Sequence, residues 1–124
     1  MRTKYLCFAA LLCLTADTLA AGRAVRYPSC NLEMQRRLSA PTGGAITDAR
    51  LAHISMRANV LQADIGSARK ARRLSQAQAN ELWHRVQAVR DASERFVVEQ
   101  GFLSAAERAS FDREMDAAAL RICR

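Results

Sequence analysis

Three helical stripes dominate this chain. Leu51, Ile54, Ala58, Leu61 and Ile65 recur at spacings of three and four. So do Leu82, Val86, Val89, Ser93 and Phe96, and again Phe111, Met115, Ala118 and Ile122. Apolar positions with that period line one side of an α-helix. No stretch alternates with period two for long enough to suggest a strand. Thr47 is expected to open the first long helix, and Gly66 or a residue shortly after it to end it. The connection then runs from Ser67 to Leu74. Ser75-Gln76-Ala77-Gln78 reads as a capping box, in which the hydroxyl accepts from the amide three residues on and the Gln side chain reaches back. Gly101 reads as the next helix stop, and Ser104-Ala105-Ala106-Glu107 as a second capping box.

Upstream, Ser29 is expected to cap a short helix through Cys30, Met34 and Leu38. Ser39 to Ala45 contains Pro41 and two glycines and reads as a linker. The phrase "Leu-Ser, then helix" occurs at Leu74-Ser75 and again at Leu103-Ser104, 29 residues on. Two copies are too few for a solenoid, which needs about three. The predicted fold is all-α: a small antiparallel three-helix bundle with a short N-terminal helix.

The first 21 residues have a different pattern. Arg2 and Lys4 precede the apolar run Tyr5 to Leu14, and Thr15 to Ala21 turns small and polar. That is the layout of a secretory signal peptide. About ten apolar residues are too few to cross a bilayer, which takes roughly 20. The expected organisation is a signal peptide at 1–21, an N-terminal arm at 22–46 and a helical bundle at 47–124. No transmembrane segment is expected after signal removal, and the expected location is periplasmic or secreted. Losing Arg2, Lys4 and Asp17 would lower the formal charge from +7 to +6, so the remainder stays basic. Its cations are arginines except for Lys70. Abundant Ala, Arg and Glu, with only 5 Gly and 2 Pro, agree with a helical fold.

Cleavage would also remove Cys7 and Cys13. Cys30 and Cys123 would remain, and in an oxidising compartment such a pair is expected to form a disulfide. The chain-entropy model gives roughly 4–5 kcal/mol for so long a closed loop.

Motifs with chemistry are sparse. Counting Phe96 as first, Gly101, Leu103 and Glu107 fall at the sixth, eighth and twelfth places of an EF-hand calcium loop. Phe96, Val98 and Gln100 then stand where oxygen ligands are needed. A divalent-cation or small-molecule sensor built on these turns is therefore the alternative, not the main reading. His53 and His84 are read as surface or boundary side chains, with His84 and Glu81 at most a surface pair. Asp91 with Arg95, and Asp112 with Arg108, read as solvated helical pairs. Trp83 is placed at the core edge. No nucleophile elbow, phosphate-cradling glycine loop or acid–base pair is present, so no enzyme activity and no cofactor or metal site is expected.

The sharpest local feature is the basic connection Arg69, Lys70, Arg72 and Arg73. It suits a protein or anionic surface of the cell envelope. Nucleic acid is not expected, because no aromatic platform or known module accompanies the charge. The plainer alternative, a solubilising loop at a helix end, is favoured on sequence alone.

With these residues in view, the stretch from about Ile46 to Arg121 resembles a set of small exported helical proteins of Gram-negative bacteria. The resemblance rests on Arg73-Leu74-Ser75 and on Gly101-Phe102-Leu103-Ser104-Ala105-Ala106-Glu107-Arg108. It implies the helical fold and carries no catalytic residues. The N-terminal arm with Cys30, and Cys123, depart from that pattern. The reading overall is an exported, non-enzymatic protein that binds another protein or an anionic envelope component.

Overall fold

The computed structural model describes residues 26–124; the expected signal peptide at 1–21 lies outside them. A 3-10 turn at Pro28–Cys30 leads into α1 (Leu32–Arg36), followed by three long helices: α2 (Ala49–Lys70), α3 (Gln76–Gln100) and α4 (Ala105–Ala119). The long helices pack on one another as an antiparallel bundle, and the Pro28–Cys30 turn lies against α2. Apart from one isolated bridge between Gly43 and Ile46, the described residues form no β-structure.

The stripes form the core. Ile54, Ala58, Leu61, Ile65, Leu82, Val86, Met115, Ala118 and Ile122 are all buried. Burial of apolar surface at roughly 25 cal/mol per Å² is the main term favouring the fold. Phe96, expected on the second stripe, lies at the bundle's edge instead, 38% exposed and edge-on to Phe111 with ring centroids 5.9 Å apart. Arg90 of α3 supplies polar stitching to α2, donating to Ser55, Asn59 and Gln62.

Both capping boxes form. Ser75 accepts from the Gln78 amide, and the Gln78 side chain accepts from the Ser75 amide. Ser104 and Glu107 reciprocate in the same way. Gly101 ends α3 with φ 88°, a left-handed conformation that glycine adopts without a Cβ clash.

Three boundaries differ from expectation. The short helix is capped by Asn31, whose side chain accepts from Met34, while the Ser29 amide donates to Asp64 Oδ2 at 2.8 Å. The first long helix begins at Ala49 behind the cap Asp48, not at Thr47. It also runs through Gly66 to Lys70. An interior glycine costs only about 1 kcal/mol relative to alanine, and the turn beyond it buries Ala68 completely. Packing therefore outweighs local preference there.

The arm is fastened covalently. Cys30 and Cys123 form a disulfide with Cα atoms 5.6 Å apart, closing a sequence separation of 93. It ties the start of the described chain to the segment just after α4.

Candidate functional site

The basic connection sits at the end of the bundle that also carries the disulfide. Arg69 and Lys70 form the last turn of α2, where the partial negative charge of the carbonyl end favours cations. The helix then stops in a Schellman arrangement. The Arg72 amide donates to the Arg69 carbonyl, and the Arg73 amide to the Ala68 carbonyl, each at 2.9 Å. That motif needs a left-handed residue, and here it is Arg72, with φ 58°. Glycine usually fills the position, because a Cβ makes the left-handed region unfavourable by roughly 1–2 kcal/mol.

The four basic residues do not behave alike. All four are exposed, but only Arg73 is engaged with the described part of the N-terminal arm. Its guanidinium lies 5.5 Å from the centroid of the Tyr27 ring and donates to the Arg124 carbonyl at 3.0 Å. This contact brings Arg26 and Arg124 to the same end. Between them lies a cleft of about 790 Å³ whose floor includes Tyr27, Leu32, Met34 and the disulfide. The tertiary fold thus adds two cations and an apolar floor to a cluster that the sequence places on one loop.

A second polar assembly was not apparent from the sequence. Arg57 is 2% exposed and lies between two carboxylates of α4. Its Nη1 donates to Asp112 Oδ1 at 2.7 Å, and its Nη2 to Asp116 Oδ1 at 2.8 Å. Arg36 of α1 donates to the other oxygen of Asp116. His53 Nε2 lies 2.8 Å from Asp112 Oδ1, and its Nδ1 lies 2.7 Å from the Leu38 carbonyl oxygen. Burial by itself would push the Asp112 carboxyl upward. The hydrogen bonds from His53 and Arg57, with their charges, outweigh that and hold it below its ordinary value.

Two expectations are corrected here. His53 is a buried bridge between the arm and α4, not a boundary side chain. Asp112 does pair with Arg108, at 3.5 Å, but as part of a buried network and not on a solvated face. A signal existed in the sequence: His53, Arg57 and Asp64 follow one another at helical spacing beside the apolar stripe, and Asp112 and Asp116 flank Met115. The pairings of His53 and Arg57 with Asp112 and Asp116 span more than 50 positions of the chain, which no local pattern reveals.

The remaining candidates are quickly placed. Trp83 is 45% exposed, so it is a surface side chain and not the core edge. His84 is also exposed. The Glu107 carboxylate, twelfth in the EF-hand register, accepts from the Ser104 amide at 2.8 Å and from Gln100 Nε2 at 2.7 Å. The Ser104 amide is the main reason that this carboxyl is held below the ordinary range. Among the described residues no group of three or more His, Cys, Asp or Glu is placed to hold a metal ion, and no helix is long and apolar enough to cross a membrane.

No family model, curated protein or solved structure matches the chain.

Proposed function

We propose that this is an exported, non-enzymatic helical protein, of the kind that its sequence resembles, and that the basic end of its bundle binds an anionic component of the cell envelope. The observation that carries this reading is Arg72. A position that favours glycine holds a cation instead, at the centre of a group that also contains Arg69 and Lys70. An unfavourable backbone conformation retained at a charged, exposed residue points to a use for that charge. The neighbouring cleft, with Arg26, Arg73 and Arg124 on its walls, extends the positive surface.

The test is binding to vesicles of anionic phospholipid by the chain from Gly22 onward, compared with a variant carrying Arg69→Gln, Lys70→Gln and Arg72→Gln. Arg73 is left in place because it stacks on Tyr27. Each cation near an anionic surface contributes about 1 kcal/mol, so the variant should bind on the order of a hundredfold more weakly. The loss should be largest at low salt, where exposed charges are least screened. Helical content should not change, because the stripes carry the packing. Equal binding by the two proteins would reduce the connection to a solubilising loop.

A further inference from the structure

Residues of α1, α2 and α4 meet around a second depression of about 480 Å³ lined by Arg36, Arg37, Arg50, His53 and Arg108, with Ala49 at its rim. No carboxylate lines it. Ala49 is the first residue of the 22-residue α2, so the positive end of that helix faces the same space. The cap Asp48 sits on that end, accepting from the amides of Leu51 and Leu103, and its carboxylate offsets part of the positive charge there.

The carboxylates beneath the depression are already engaged. Asp112 accepts from Arg57 and faces His53, and Asp116 accepts from Arg57 and Arg36. Arg36, Arg57 and Arg108 therefore outnumber the two acids even before Arg37 and Arg50 are added. Among the described residues, Arg37 pairs with the exposed Glu33, and Arg50 donates to the Leu103 carbonyl. Arg108 shows the surplus most clearly. Its Nη2 donates to the Arg36 carbonyl and lies 3.4 Å from His53 Nε2, so two nitrogens face each other. Its Nε is buried and makes no hydrogen bond, its nearest carboxylate being Asp112 Oδ2 at 3.5 Å. Cations outnumber carboxylates in this cluster, and neighbouring like charges are tolerable only if solvated or neutralised by a partner.

We infer that this depression is a binding site for a phosphoryl group, held by Arg36, Arg37, Arg50 and Arg108 from three helices. Guanidinium forks approaching from different directions suit the several oxygens of a tetrahedral dianion, whereas a planar carboxylate engages fewer of them. The inference is independent of the basic end with Arg72, which lies elsewhere on the bundle.

The experiment titrates the disulfide-bonded protein with inorganic phosphate at low ionic strength, using calorimetry and phosphorus NMR. Glycerol 3-phosphate and acetate are titrated in parallel. Saturable binding of phosphate, or of the phosphomonoester more tightly, supports the site and separates a free anion from an esterified one. The test variant carries Arg37→Gln and Arg50→Gln, both exposed and outside the buried network, so folding is preserved. Loss of their charge-assisted hydrogen bonds should weaken phosphate binding about tenfold or more. The two variants are compared at about 0.15 M ionic strength, where the Debye length is about 8 Å, and there the Arg69, Lys70 and Arg72 variant should bind phosphate within about twofold of the parent. The inference is overturned if the parent shows no saturable binding up to about 10 mM. It is also overturned if acetate binds as well as phosphate, if Arg37→Gln with Arg50→Gln changes nothing, or if both variants lose binding equally.

Discussion

Replacing Arg57 by Met should remove a large part of the margin by which this bundle stays folded at neutral pH. The methionine fills the space of the alkyl stem, so the substitution is chiefly electrical. It deletes two charge-assisted hydrogen bonds, to Asp112 Oδ1 at 2.7 Å and Asp116 Oδ1 at 2.8 Å, and a third to the Asp112 carbonyl at 3.2 Å. Removing one partner of a buried ion pair costs about 3–5 kcal/mol when the other charge is left uncompensated; Asp116 keeps Arg36, and Asp112 keeps His53 and Arg108, so the loss lies at the low end, about 3 kcal/mol. Small domains have only about 5–15 kcal/mol in total. At roughly 4–8 °C per kcal/mol, the melting temperature should fall by at least about 12 °C. The pH dependence gives a sharper test. Asp112 is held below its ordinary value of 3.8, in part by Arg57. The stabilisation from that lowering is fully present above the ordinary value and is lost as pH falls through the lowered folded value. The gap between parent and variant should therefore be widest near neutrality and narrow toward about pH 3. Urea unfolding followed by far-UV circular dichroism at both pH values measures it. A gap under about 1 kcal/mol at neutral pH, or one that does not change with pH, would refute the reasoning.

Two other outcomes are expected. Changing Cys30 and Cys123 together to Ser should lower stability by about 4–5 kcal/mol with little change in helical content, read by thermal melts of parent and variant in parallel. Changing Arg72 to Gly should raise the melting temperature, by up to about 1 kcal/mol of stability, while weakening binding to anionic vesicles; a gain in both properties would contradict the role given to that charge.

The features legible in the sequence are those written locally. Ser75 with Gln78 and Ser104 with Glu107 declare helix starts within four residues, and Gly101 declares a stop. The stripes from Leu51 to Ile65 and from Leu82 to Ser93 identify buried faces because apolar side chains at helical spacing have few other uses. The disulfide followed from the count of cysteines left after the expected signal peptide. What could not be read depends on distant partners. Arg57 is an unremarkable arginine until Asp112 and Asp116 arrive from α4, and His53 looks peripheral until the Leu38 carbonyl and Asp112 close on it. Gly66 misled because a single residue's preference is small beside the burial of Ala68. Of the candidate site, the basic cluster was visible as a run of charge. That Arg73, alone of the four, lies against Tyr27 and Arg124 could be read only from the fold.

The bond between Cys30 and Cys123 turns 93 positions of sequence into a ring that contains every helix after the Pro28–Cys30 turn. A protease that nicks the connection between α2 and α3, or the one after Gly101, opens that ring at one place but releases nothing, since both pieces stay joined through sulfur. Two cuts, or one cut and a reductant, are needed to free a fragment. While the disulfide stays oxidised, the clasp turns a single cut in either of these loops from a point of failure into a tolerated scar.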